Sequence, residues 1–375
     1  MIRIHIPGFY STDSGGPRWG DAQIIDDGTN YLVIDGYCEI GTTRLIKRLK
    51  MRQIRNPYLL ITHAHWDHYC GIRKIIRDEW FKPKGLYCQD PNSIGDVSGT
   101  VRGEKQTLRN IISEAKARGI PVKYLKDGDR VQLGEIDFFI YRKTEPYEGN
   151  NEAYLNDASL CCWFHTLGYW TSGDGPMKIY DLCRARGAKP KFFKIPHHGN
   201  NCPRLQAIGM KSLGAKYCWD NDYNTQITEF LRYGRNRCIQ AGIRYFGCHG
   251  DLNVIFFGGM AVIYKDFKKY TYKCSYQGKT ALRGANATIV RKTLRGIYGT
   301  ANTRITKLID AGFYPLAVQQ KVDRVVEIAK GIKSGKLRYG SNEARIAKID
   351  KELGKGYGQL VQDYINVLYG IRKEV

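Results

Sequence analysis

The residues best suited to chemistry lie in LLITHAHWDHYCGI, residues 59–72, where His63, His65, Asp67 and His68 fall within six positions directly after an apolar run. Imidazoles and carboxylates are costly to bury unpaired, so such a cluster is either a polar loop or a ligand shell. Extended backbone sends His63 and His65 to one side, while Asp67 and His68 can turn toward a neighbouring point. Neutral imidazole and carboxylate form a donor set that zinc and manganese accept. Two ions about 3.5–4 Å apart suit that division. The spacing therefore predicts a cofactor of two divalent metal ions, Zn2+ or Mn2+, with His63, His65, Asp67 and His68 among the ligands. No GxSxG elbow, Walker loop or nucleophilic cysteine context accompanies it.

The flanking sequence supplies elements to hold such a site. IRIHI reads as a strand, and AQII and YLVI pair as a hairpin across DDGTN. TTRLIKRLKMRQI has apolar residues at helical spacing, and PYLLIT is a buried strand that ends at the histidines. GIRKIIRDEWF and TLRNIISEAKARG read as helices, followed by strands at VKYL, RVQL and EIDFFIY. A second hairpin, ASLCCWF with GYWTSG, precedes the helix MKIYDLCRARGA. KFFKIP is then a strand ending at His197-His198-Gly199. A helix over ITEFLRYGRNRCIQAG and strands near YFG and NVIFF complete the unit. Strand pairs interleaved with helices predict two sheets sandwiched between helices.

The 375 residues carry 59 Lys and Arg against 36 Asp and Glu, a net charge of +23. The last 95 residues hold +10 of this and the rest +13, so the excess is spread along the chain. Such a field favours polyanions: nucleic acid, nucleotides or an acidic wall polymer. Eleven cysteines without regular spacing or a CxxC pair read as buried reduced thiols. No apolar run approaches a membrane span and no signal peptide is visible, so synthesis in the cytoplasm and no membrane partner are expected.

HxHxDH after an apolar strand resembles the signature of the metallo-β-lactamase superfamily. WGDAQIIDDGTNYLVIDG, LKDGDRVQLGEIDFFIY, NDASLCCWFHTLGYWTSGD and KIPHHG narrow the resemblance, over about residues 1–260, to the ComEC-type hydrolase domain. It implies an α/β fold, the αββα sandwich, and a phosphodiesterase-type or nuclease activity on nucleic acid or nucleotides, including cyclic ones. Carried onto this chain, Asp67 and Asp174 are catalytic ligands, with Asp174 bridging the metals. His197 or His198 supplies a further ligand, His198 corresponding better to the superfamily pattern. Asp35, in VIDG, braces the metal loop from below.

The superfamily's usual additional histidine has one candidate here, His165, which hairpin geometry puts roughly 15–20 Å from Asp174 at ~3.3 Å per residue. Asn156 or Asp157 lies beside Asp174 instead, and asparagine is the form ComEC relatives favour. His249, in GCHGDLN, is read either as an outer ligand or proton donor, or as an ordinary loop residue. Arg73 and Lys74 either hold a phosphate near the start of the following helix or form its solvated face.

Residues 266–290 read as a linker after a 1–265 hydrolase domain. Beyond it an internal repeat appears, with Tyr298/Tyr339, Gly299/Gly340, Arg304/Arg345 and Ile305/Ile346 coinciding at an offset of 41. Val318/Val361, Gln319/Gln362 and Val322/Ile365 coincide at 43. The expected units are helical repeats at 291–328 and 329–375. They resemble the cell-wall-binding repeats of phage lysozymes and amidases, which implies peptidoglycan or muropeptide binding through Arg304 and Arg345 and access to the wall on lysis. An arginine fork suits a peptide carboxylate. The competing functions are amide or lactam hydrolysis of peptidoglycan fragments, and wall binding beside a vestigial hydrolase.

Overall fold

The computed structural model describes residues 1–8, 20–94, 99–142, 155–175, 178–199, 206–220, 233–247, 251–265, 268–280, 282–299 and 301–375. The chain divides into one unit of residues 1–265 and 269–280, and a second of residues 266–268 and 281–375.

In the first unit, strands β1 (Ile2–Ile6), β2 (Gln23–Asp26), β3 (Tyr31–Ile34), β4 (Tyr58–Leu60), β5 (Gly85–Cys88), β6 (Val122–Tyr124), β14 (Leu252–Phe257), β15 (Met260–Lys265) and β16 (Lys268–Lys273) form one sheet. Its order is β16-β15-β14-β1-β2-β3-β4-β5-β6. The second sheet comprises β7 (Arg130–Leu133), β8 (Ile136–Tyr141), β9 (Cys161–Phe164), β10 (Tyr169–Thr171), β11 (Phe192–Lys194), β12 (Tyr217–Asp220) and β13 (Arg244–Gly247), in the order β13-β12-β11-β10-β9-β8-β7. Both sheets change from antiparallel to parallel partway across. Strands β3 to β6 run parallel in one and β10 to β13 in the other.

Side chains alternate across each sheet, and the alternation builds the layers. Leu32 and Ile34 of β3, with Cys162 and Phe164 of β9 and Phe192 of β11, join the core between the sheets. Val33 faces the opposite way, toward helices α1 (Glu39–Met51), α2 (Trp66–Arg77) and α3 (Gly99–Ala117), through Leu45, Leu49, Ile72, Ile76 and Ile111. On the other sheet, Cys161, Trp163 and Phe193 face α4 (Ile179–Ala185), α5 (Ala207–Ser212) and α6 (Tyr233–Gln240) through Ile179, Met210 and Cys238. The result is the expected αββα sandwich. The nine described cysteines are free thiols and seven of them are buried. Among the described residues no helix is long and apolar enough to cross a membrane.

The second unit is all helical: α7 (Ala287–Leu294), α8 (Ala301–Asp310), α9 (Pro315–Lys333), α10 (Asn342–Leu353) and α11 (Tyr357–Leu368). Val318 and Val361, paired by the repeat, are both fully buried in one core with Leu308, Ile349 and Leu360. The anticipated linker differs from what forms, since residues 268–273 are the edge strand β16. Helix α9 also runs through the anticipated boundary between 328 and 329.

The repeat explains its own arginines. Arg304 donates from Nε to Gly299 O at 2.9 Å and from Nη1 to Gln319 Oε1 at 2.8 Å. Arg345 donates from Nη2 to Gly340 O at 3.1 Å and from Nη1 to Gln362 Oε1 at 2.8 Å. The coinciding glycine, arginine and glutamine are thus one hydrogen-bonded unit made twice. Each guanidinium is engaged inside its own repeat, while Arg345 Nε is buried without a hydrogen-bond partner.

Arg73 is engaged too. It grips Glu114 of α3 from Nε at 3.1 Å and Nη2 at 2.5 Å, and Arg77 adds a second fork. Arg73 therefore clamps α2 to α3, and Lys74 lies exposed on the helix face. Hydrogen bonds from Arg73, opposed by burial and joined by Arg77, hold the Glu114 carboxyl down at about 2, against an ordinary 4.5. A depressed carboxyl stabilises the fold above its unfolded value and ceases to do so as pH falls through its folded value. Glu114→Gln is expected to lose about 1 kcal/mol at pH 7, discounted for partial exposure. Urea denaturation at several pH values should show that difference shrinking from about pH 4.5 down to about pH 2.

Candidate metal centre

The carboxyl ends of the parallel strands bring the cluster together, as expected where a sheet leaves its loops free to carry ligands. After β3 the chain turns at Asp35 with φ of 56°, a left-handed conformation uncommon for a non-glycine residue. Asp35 Oδ1 accepts from Thr62 N and Oδ2 accepts from Thr62 Oγ1, both at 2.8 Å. The same Oδ2 lies 2.8 Å from His68 Nδ1. One buried carboxylate thus fixes the loop after β4 and the imidazole on α2, leaving His68 Nε2 to point elsewhere. Helix α2 reaches this position because Gly71 packs on Gly36, where a Cβ on Gly71 would fall 1.8 Å from Gly36 O.

The second sheet supplies Asp174 just past β10 and His197 and His198 just past β11. Gly173, at φ 54°, lets the Asp174 loop approach the histidine loop, since a Cβ there would lie 2.3 Å from Thr62 Oγ1. His197 and His198 both sit at φ 50° in a 3-10 turn, Pro196–Gly199. Two successive non-glycine residues at positive φ are strained, and such strain collects at functional sites.

The two oxygens of Asp174 serve different imidazoles. Oδ1 lies 3.1 Å from His68 Nε2 and 3.3 Å from His198 Nε2. Oδ2 lies 3.7 Å from His63 Nε2 and 4.0 Å from His197 Nε2. His65 Nδ1 is 3.0 Å from His63 Nε2, and Asp67 Oδ2 is 3.3 Å from His198 Nε2. Two ligand groups result, one of His63, His65 and Asp174, the other of Asp21, His68, Asp174 and His198. Within each, one ligand atom per residue lies within 4.8 Å of all the others. Asp67 borders the second group through His198.

The donor chemistry fits divalent cations. All ligands are imidazole nitrogens or carboxylate oxygens, and Asp174 belongs to both groups. His68 Nε2 and Asp174 Oδ1 are buried without an aligned hydrogen bond. Burial, reinforced by His68, pushes His63 well below the ordinary histidine value, which leaves the neutral imidazole that a metal needs. His68 and His198 are held well above it, because the surrounding aspartates outweigh the burial that opposes charge. Burial would raise Asp174, yet His198 and His68 keep it well below the usual range. This field calls for positive charge at the points where the two groups converge.

Asn156 is 3% exposed, its Oδ1 lacks a hydrogen-bond partner, and its backbone lies against Gly175, one residue beyond Asp174. That is the position the hairpin geometry assigned it. His197 stands at the margin, its side chain 26% exposed. His165 lies away at the β9–β10 turn, 3.7 Å from Asp137. His249 falls outside the described residues.

Two participants escaped the sequence reading. Asp21 is fully buried, with Oδ1 3.3 Å from His198 Nδ1. Lys194 is also fully buried, its Nζ 2.5 Å from Asp21 Oδ2, 3.8 Å from Asp174 Oδ1 and donating to Gly173 O at 2.5 Å. It ties the Asp174 loop to the strand that leads into the His197-His198 turn. A lysine inside the apolar strand KFFKIP was the available signal. Asp21 in WGDAQ had no spacing pattern to mark it.

Asp35 acts on any bound metal only through Thr62 and His68. Asp35→Asn is expected to weaken metal binding about 10- to 100-fold, the usual effect of removing a ligand's orienting partner. Competition with a chromophoric chelator measures it, and an affinity equal to wild type in a folded variant would refute the positioning role.

The family model described as the metallo-beta-lactamase superfamily matches residues 16–146. No curated protein matches the chain. Similar solved structures include the metallo-beta-lactamase fold protein YhfI from Bacillus subtilis, 8% identical at a TM-score of 0.44, over 67% of this chain and 98% of that one. A diphosphatase of the PhnP family is 14% identical at a TM-score of 0.41, over 68% and 98%. Igni18, a metallo hydrolase from Ignicoccus hospitalis, is 12% identical at a TM-score of 0.42, over 68% and 99%. Residues 16–146 of the site-bearing unit are thus similar to the metallo-beta-lactamase superfamily.

Proposed function

We propose that the chain is a dinuclear metal-dependent hydrolase that cleaves phosphodiester bonds in nucleic acid or nucleotides. The observation that carries this reading is the division of Asp174, with one oxygen toward His68 and His198 and the other toward His63 and His197. A carboxylate so placed is suited to bridging two ions. In this reading His63, His65 and Asp174 hold one ion, while His68, Asp174 and His198 hold the other beside Asp21, with Asp67 bordering that group and Asn156 beside the site. Bound there, the ions would acidify a water as nucleophile and offset the charge that develops on the substrate oxygens. The net charge of +23 favours an anionic substrate over a neutral amide.

The chain's own residues prepare the site. Asp35 fixes the orientation of His68, and Lys194 with Asp21 anchors the second-sheet loops. His65 and His197 are the histidines of the site that keep solvent contact, so substrate approaches from their side. Asp174→Ala is expected to lower kcat/KM for bis-nitrophenyl phosphate by about 10^3-fold or more in metal-loaded protein. Absence of turnover by the loaded wild type on that ester, on DNA, on RNA and on cyclic nucleotides would refute the assignment.

A further inference from the structure

A second feature of the first unit lies away from the metal cluster. Lys211, Lys216, Arg235 and Arg244 line a cavity of about 610 Å³ together with Tyr217, Ile239, Ile243 and Tyr245. No carboxylate lines it, and among the described residues Lys211, Lys216 and Arg244 make no ion pair. Lys211, Lys216 and Arg244 converging on one concavity repel each other unless something negative offsets them. The volume falls within the range of small-molecule pockets, large enough for a nucleotide.

These cations are held in place. Lys211 Nζ donates to Gly242 O at 2.7 Å. The Arg235 guanidinium lies 4.9 Å from the Tyr245 ring centre, and that of Arg244 5.0 Å from the Tyr270 ring centre. Tyr217 stacks on Phe246 at 5.7 Å, so its ring is fixed as well. Fixed cations beside half-buried aromatic rings are what a phosphate backbone with unstacked bases requires. A uniform sprinkling of surface charge would offer neither the rings nor the concavity.

Its position excludes a part in the chemistry. Phe192, Tyr217 and Arg244 pair across β11, β12 and β13 in one row, and the histidine turn begins only beyond Lys194. From Lys216 to Asp220 the chain advances about 13 Å at the usual strand rise. A ligand that reaches both places must therefore extend beyond a single nucleotide, as a strand does. We propose that this cavity is an exosite for single-stranded nucleic acid, which seats phosphates on Lys211, Lys216 and Arg244 and stacks a base near Tyr217 and Tyr245. This deepens the phosphodiesterase reading and rests on it for the claim that the bound strand is substrate.

The test uses the full chain in excess EDTA, so that binding is read without cleavage, with fluorescein-labelled 20-nucleotide DNA and RNA single strands in an anisotropy titration. Lys216→Glu with Arg244→Glu is compared with Lys123→Glu plus Lys126→Glu, an equal charge change at exposed positions elsewhere on the same unit. The cavity variant should weaken binding of at least one of the two polymers tenfold or more. Its slope of log affinity against log salt should fall by about 1.4, the loss of two single-strand phosphate contacts. The control variant should stay within threefold of wild type, and Lys216→Gln with Arg244→Gln should show the same ordering if the reversed charges perturb folding. Equal loss in cavity and control variants, no loss in either, or a duplex of equal length bound as tightly as the single strand would each overturn the proposal. Turnover of bis-nitrophenyl phosphate by metal-loaded cavity variants should match wild type. A protein that hydrolyses the ester but whose cavity variants bind like wild type refutes the exosite alone, whereas cavity-dependent binding without any hydrolysis refutes the enzymatic reading alone.

Discussion

Four carboxylates, Asp21, Asp35, Asp67 and Asp174, are buried around one point, and the cost of taking them out of water governs the surrounding structure. Each needs a positive or hydrogen-bonding partner that cannot drift. Asp35 is met by Thr62 and His68, Asp21 by Lys194 and His198, and Asp174 by four imidazoles on two different loops. Asp21 and Asp174 therefore act as staples between sheets that also meet through apolar side chains and through Gln23, which hydrogen-bonds Thr171 and Tyr169. The same arrangement makes the site attractive to cations, because the oxygens that hold the loops together converge on shared points.

The backbone around this cluster is strained where the loops close. Asp35, His197 and His198 all adopt left-handed conformations that a β-carbon disfavours, and each makes a contact of the cluster. Glycine appears where approach is closest, at Gly36, Gly71 and Gly173. The large inter-sheet core, with Phe138, Phe164, Phe192, Trp219 and Phe256 buried, supplies the rigidity that keeps such conformations in place. Packing thus provides the stability and the ligand loops draw on it.

Much of this was legible from residue order. The HAHWDH spacing after a buried strand marked the histidine loop, and the apolar runs YLVI and CCWF, read as hairpin strands, are buried on both faces. Counting residues around the β9–β10 hairpin separated Asn156 from His165, because strand rise is a fixed length. What stayed hidden depended on contacts distant in sequence. Asp21 is an unremarkable aspartate until β2, β10 and β11 bring Lys194 and His198 to it. The edge strand β16, in a Lys- and Tyr-rich stretch read as linker, is half-exposed and so lacks the apolar pattern that identifies buried strands. Arg73 was read as a phosphate holder or a solvated face, and the packing of α2 on α3 gives it a third role, the clamp on Glu114.

The helical repeats build one polar arrangement twice. Gly299, Arg304 and Gln319 recur as Gly340, Arg345 and Gln362, and a pattern that joins a charged side chain to a glycine and an amide looks like recognition. In three dimensions the arginine spans its own repeat, holding a glycine carbonyl at φ near 70° to 82° before one helix and a glutamine on the next. The carbonyl before a helix and the amide on its partner are polar groups that need satisfying as the pair packs. A half-buried guanidinium with several donors meets both at once. The duplicated polar residues thus join the two helices of each repeat, as the duplicated valines join them in the core.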